Sequence, residues 1–237
     1  MTGRATGSPG SRPQQLAFDL VYRAALGRED FLVAPGNAAA VDAIDGWREW
    51  PQRAMAIIGP AGAGKSHLVE VWRSGNGALR ATGIELAEPM VQRAVEAGAL
   101  AVENIDRGIT DQQTLFHLFN LAREGRLSLL VTSRALPGEL EVALPDLRSR
   151  LRAMALVQIE PPDAALLRAL LVKLLADRQQ SVDPDVIEYV MQRMERSAEA
   201  ARRFVAALDQ RALATRRDLT KRLAGEVLDS LAAPEGE

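Results

Sequence analysis

The 237-residue chain contains no cysteine, which excludes disulfide scaffolds, thiolate zinc sites and cysteine nucleophiles. Its two histidines are too few for a histidine-rich metal site. No apolar run approaches the roughly 20 residues that span a bilayer. The opening segment MTGRATGSPGSRP lacks the apolar stretch of a secretory signal, so a cytoplasmic protein without membrane contact is expected. An excess of either charge is also missing. Lys+Arg 29 against Asp+Glu 31 gives a net charge of −2, which argues against a uniformly basic nucleic-acid coat but allows a local patch. What remains is the balance of an ordinary globular protein, 47% apolar and 25% charged, long enough for one large domain or two small ones.

Residues 1–13 are Gly, Ser, Thr, Pro and Arg with almost nothing to bury, and read as a disordered tail. QQLAFDL, residues 14–20, follows as a compact apolar burst. The tail is taken as 1–22. Over 23–162, short apolar runs alternate with helical patterns. Strands are expected at 54–59, 78–82, 99–103, 127–133 and 154–159, with helices near 37–47, 65–73, 85–96, 111–124 and 146–152. Continuous apolar strands between amphipathic helices imply an α/β domain with a five-stranded, mostly parallel sheet covered on both faces. After IEPPD (159–163) no strand-like run appears. Asp163 can cap a helix carrying Leu166, Leu167, Leu170, Leu171, Leu174 and Leu175 at helical spacing. A second helix follows Pro184, a third holds Ala201, Phe204, Val205 and Leu208, and a fourth holds Leu219, Leu223, Val227 and Leu228. Residues 163–237 therefore form a small all-α module. It has equal numbers of basic and acidic residues from 164 on.

The strongest motif is Gly59-Pro60-Ala61-Gly62-Ala63-Gly64-Lys65-Ser66. It fits GxxxxGK[ST] and lies between an expected strand and an expected helix, the context a phosphate-binding loop requires. Its glycines let backbone N–H groups face phosphate oxygens, and the helix N-terminus adds positive potential. Lys65 can reach the β- and γ-phosphates, and the Ser66 hydroxyl can ligate Mg²⁺. ALAVENID (99–106) is a buried-type strand ending in acid. Glu103 stands where such a site needs a carboxylate for Mg²⁺. The next residue is Asn104, which cannot accept a proton, so general-base assistance of about 10²–10⁴-fold is missing there. Binding of ADP or ATP is expected, with weak hydrolysis.

These residues, taken together, resemble the DnaA family of AAA+ ATPases. GKSHL (64–68) is similar to that family's GK[ST]HL, with His67 inside it. FLVAPGNAAAV (31–41) resembles the segment before the nucleotide site, and places Asn37 there. LLVTSRALPGEL (129–140) resembles the sensor-1 strand, with Thr132 and Ser133 as the polar sensor and Arg134 where the family often has an acid. LPDLRSRL (144–151) resembles the arginine-finger box, and AARRFVAAL (200–208) the sensor-2 helix. The resemblance implies a three-layer AAA+ domain followed by a helical lid. It implies Arg150 as an arginine finger acting in trans, with Arg148 and Arg152 as close alternates, and Arg202 as the lid arginine directed at phosphate.

The chain as given shows neither the C-terminal DNA-reading domain of DnaA nor its N-terminal domain. This pattern resembles the Hda group of DnaA-related regulators, and implies DnaA and the replicative sliding clamp as partners, homo-oligomers, and no sequence-specific DNA contact. Gln15, Leu16, Phe18 and Leu20 resemble that group's clamp-binding motif. A tail presenting a glutamine and large apolar side chains suits capture in a pocket, although the alternation of Leu16, Phe18 and Leu20 also suits an edge strand or the start of a core helix. The expected function is regulatory inactivation of DnaA. Two rivals are an autonomous ATPase that loads or remodels a helicase, and an adaptor that completes no active site.

Overall fold

A computed structural model of the chain describes residues 31–180, 182–215 and 220–232. The motif at Gln15–Leu20 and the residue Leu219 lie outside the described residues. In chain order the elements are α1 (Pro35–Asp45), β1 (Ala54–Ile58), α2 (Lys65–Asn76), β2 (Leu79–Thr82), α3 (Pro89–Ala97), β3 (Ala99–Glu103), α4 (Gln112–Arg123), β4 (Ser128–Ser133), α5 (Pro145–Ala153) and β5 (Ala155–Gln158). Four helices follow: α6 (Ala164–Ala176), α7 (Pro184–Arg193), α8 (Ala198–Thr215) and α9 (Lys221–Ala232). Each expected strand is present, with ends that differ by no more than one residue.

The five strands form one parallel sheet in the order β2-β3-β4-β1-β5. The inner strands β1, β3 and β4 are buried at every position because both faces are covered, the outer strands β2 and β5 only partly, and successive side chains point to opposite layers. From β1, Ala54, Ala56 and Ile58 join one core with Leu100, Val102, Leu129 and Val131, under α3, α4 and α5. Met55 and Ile57 join the other with Ala101, Leu130, Leu68 and Trp72, under α1 and α2. Trp72 stacks on Trp50, with ring centroids 5.3 Å apart, and meets Trp47 edge-on, so the tryptophans are core aromatics.

The lid has its own core, in which Leu171, Phe204, Val205 and Val227 are shut from water. Its helices start as their sequences dictate. The Asp163 carboxylate accepts the Leu166 N–H at 2.7 Å, and Asp183 caps the helix that begins at Pro184. Among the described residues, no helix is long and apolar enough to cross a membrane.

In the first layer, α4 is capped by Asp111, which accepts the Thr114 N–H at 2.9 Å and the Thr114 hydroxyl at 2.8 Å. The backbone hydrogen bond, then the hydroxyl, hold this carboxyl below its usual value. A depressed folded pKa means the unfolded chain binds the proton more readily. The cap therefore stabilises above the ordinary carboxylate range and loses its effect as pH falls through the folded value. Asp111→Ala is expected to cost about 1 kcal/mol at neutral pH. In urea unfolding, the gap from wild type should close in acid.

Candidate functional site

Three parallel strands deliver the candidate residues to one edge of the sheet. β1 ends at Ile58 and leads into the Gly59 loop, β3 ends at Glu103, and β4 ends at Thr132-Ser133. In register, Ile57 pairs with Thr132 and Ile58 with Ser133. Ligands of open α/β sheets bind outside such carboxyl ends. Here the loop, α2 and the lid enclose a cleft of about 410 Å³, of the size that takes a small molecule.

The loop follows the expected geometry. Gly62 has φ +70°, and a Cβ there would stand 2.5 Å from the Ser197 Cβ of the lid. Only glycine suits both the backbone and the neighbour. The Lys65 ammonium folds onto the loop, donating to the carbonyls of Gly59 at 2.6 Å and Pro60 at 2.8 Å. Burial holds it below the ordinary lysine value. Asp106 and Glu103 work against that shift and Arg134 adds to it. Ser66 opens α2 at the cleft, and Ala61, Gly62 and Gly64 line the same wall.

Glu103 has no exposed surface. Its Oε2 accepts the Ser66 hydroxyl at 2.5 Å, and its Oε1 accepts the Arg80 Nε–H. Arg80 was not singled out in the sequence. It reaches Glu103 from the edge strand β2, and the only cue was a charge inside an otherwise apolar strand. The site was expected to hold Mg²⁺ through Ser66 and Glu103. Both oxygens of that carboxylate are engaged by protein donors. As arranged, these residues do not fit a divalent cation.

Asn104, next in the chain, has φ +56°, a left-handed conformation that Asn adopts more easily than most residues. Its N–H donates to Thr132 Oγ1 at 3.1 Å, and the residue also lines the cleft. Thr132 and Ser133 are fully buried. The Ser133 hydroxyl donates to the Ala135 carbonyl at 2.6 Å. Both expected sensors thus serve the backbone, and Arg134 is the residue of that segment that lines the cleft. Asp106 accepts the Arg134 N–H at 3.0 Å, so it supports the loop under Arg134.

The lid closes the other side. Ala198 N–H donates to the Gly62 carbonyl at 3.1 Å. Arg202 lines the cleft and meets His67 Nδ1 at 2.6 Å, while the His67 ring sits edge-on to Phe31 at 5.1 Å. His67 is buried between Phe31 and Arg202 and also borders the cleft. Asn37 accepts the Ala34 N–H at 2.8 Å and donates to the Leu32 carbonyl at 3.0 Å, fixing the segment that precedes α1. With Ala63, Phe31 and Arg202 it borders a pocket of only about 30 Å³ between the loop and the lid, the volume of roughly one water molecule.

Arg150 lies elsewhere. It is half-buried on α5, donates to Asn120 Oδ1 at 3.3 Å, and lines a pocket with Gln52, Ala54 and Ala155 at the starts of β1 and β5. Arg148 is tied to the Val142 carbonyl at 2.6 Å and Arg152 to that of Gly138 at 3.4 Å; both are exposed.

The solved domain III of the Thermotoga maritima replication initiation protein DnaA superposes with a TM-score of 0.74, covering 88% of this chain and 98% of that one at 21% identity. The fold is that of DnaA domain III. AMPPCP-bound DnaA from Aquifex aeolicus is similar with a TM-score of 0.65, over 78% of this chain and 65% of that one at 18% identity. In sequence, the chain is 26% identical to the chromosomal replication initiator DnaA of Cutibacterium acnes over 192 residues, 70% of this chain and 38% of that protein. The chain thus spans about two fifths of the length of that DnaA. No protein-family model matches it.

The contact between loop and lid is testable. Gly62→Ala is expected to cost about 1–3 kcal/mol, from the strained φ and the Ser197 collision together, measured by chemical unfolding.

Proposed function

We propose that this chain is an Hda-like regulator that inactivates DnaA. It binds ADP or ATP between the loop and the lid, docks on the sliding clamp through Gln15, Leu16, Phe18 and Leu20, and supplies Arg150 to the nucleotide of a neighbouring DnaA. A DnaA-bound triphosphate is the one hydrolysed. The chain's own nucleotide sets the angle of the lid and so the shape of the surface shown to DnaA.

The observation that carries this reading is the place of Arg150. Its pocket adjoins the first residue of β1, and the phosphate loop follows the last. Five residues of strand put about 16 Å between those ends. Its guanidinium does not line the chain's own cleft, so a phosphate it serves belongs to another molecule. Its hold on Asn120, at 3.3 Å, is long for a hydrogen bond and easily exchanged for a phosphate oxygen. An arginine suits the task because its planar fork spreads charge over the transferring oxygens. Self-hydrolysis lacks support in the chain's own cleft. Asn104 cannot take a proton from water, and the Glu103 carboxylate is already engaged.

Hydrolysis of DnaA-bound ATP, followed with clamp and DNA present, tests the proposal. Arg150→Ala should lower the stimulated rate by about 10³-fold or more, while Arg148→Ala and Arg152→Ala keep it. Stimulation by Arg150→Ala equal to wild type would remove the mechanism.

A further inference from the structure

We infer that Arg80 takes the place of a divalent cation at Glu103, so that this site binds a nucleoside diphosphate without a metal ion. The inference rests on the reading that the cleft holds a nucleotide, and it assigns the chemistry by which the phosphates are neutralised.

A carboxylate with no exposed surface needs compensation for its lost hydration. In P-loop sites a hydrated magnesium ion near the strand-end carboxylate shares that task and bridges to the phosphates. Here the compensation is covalently part of the chain. Arg80 Nε–H is bonded to Oε1, the Ser66 hydroxyl to Oε2, and the buried acid has both acceptors filled. Arg80 stands opposite Ala101 in the β2–β3 register, two residues short of Glu103. An arginine side chain covers that offset, and the edge position of β2 leaves its remaining surface, half exposed, turned to the cleft. The guanidinium keeps N–H donors beyond the one given to Glu103, and Arg80 lines the cleft that holds the nucleotide in the proposed reading.

The surrounding charge agrees. Lys65, Arg107, Arg134 and Arg202 line the same cleft, against the carboxylates of Glu70 and Glu199. A polyphosphate entering this field meets cations already in place. A divalent ion entering it meets repulsion from the same groups, strengthened where water is excluded. Its one strand-end carboxylate is occupied. The arrangement also fits slow turnover, because the cation held at Glu103 is fixed by a side chain and does not move with a leaving phosphate.

Calorimetric titration of the full chain with ADP, in EDTA and in excess magnesium chloride, tests this. Wild type should show dissociation constants within about threefold of each other. Arg80→Ala should weaken ADP binding about tenfold or more in EDTA, with magnesium restoring much of it. Arg80→Lys, which keeps the charge, should stay nearer to wild type. Thermal melts of each protein establish that the variants are folded, and the wild-type comparison needs no variant. Wild-type binding that weakens about tenfold or more in EDTA overturns the inference while leaving the nucleotide reading intact. Arg80→Ala binding that stays metal-independent overturns the assignment to Arg80. Absence of ADP binding in both buffers overturns the nucleotide reading and this inference with it.

Discussion

Glu103 carries its charge where water does not reach, and much of the site is arranged around that fact. A buried carboxylate is tolerated only when donors surround it. The donors come from two other elements, Ser66 at the first turn of α2 and Arg80 on β2. For both to meet it, β2 must lie beside β3 and the loop after β1 must bring α2 back across the strand ends. The strand order β2-β3-β4-β1-β5 does this. One buried charge thus ties three elements together, and removing any one partner would strand the other groups without compensation.

Much of the fold could be read from the chain because its physics is local. A strand covered on both faces must be apolar at every position, so AMAII, ALAVE and SLLVTS announce themselves. Helices α4, α6 and α7 begin just after Asp111, Asp163 and Asp183, residues whose capping chemistry is visible within three positions. The phosphate loop is legible for the same reason, since all its parts are consecutive. Contributions that cross the sheet were not legible. Arg80 joins the site only because β2 pairs with β3, an adjacency that no spacing in the sequence encodes. Arg202 finds His67 across 135 residues. Thr132 and Ser133 occupy the expected end of β4, yet which way each hydroxyl points is set by the pleat and by the turn of Asn104, and both bond to backbone. Asn104 itself was informative as an amide in place of an acid. Its second task, bending the chain after β3 at φ +56°, belongs to geometry.

The position of α5 shows how one fold can separate two groups of arginines. Arg202 and Arg134 line the cleft at the carboxyl ends of the strands. Arg150 sits at the amino ends, beside Gln52 and Ala155, and is held by Asn120. A parallel sheet gives these ends opposite surroundings, and no side chain spans the distance between them. The separation needs no special device beyond the direction of the strands.

The start of the lid's helix α8 is tied to the loop and to α2: the Ala198 N–H donates to the Gly62 carbonyl, Ser197 just before the helix lies against the same glycine, and Arg202 meets His67 of α2. A guanidinium can only donate, so a hydrogen bond here uses His67 Nδ1 as its acceptor. The small pocket beside these contacts has room for about one water molecule. A ligand that rearranges these contacts shifts the lid only by the difference between its affinities for the two arrangements. An anion in the cleft would supply such a difference at Arg202, because a charged acceptor binds a guanidinium more strongly than a ring nitrogen does.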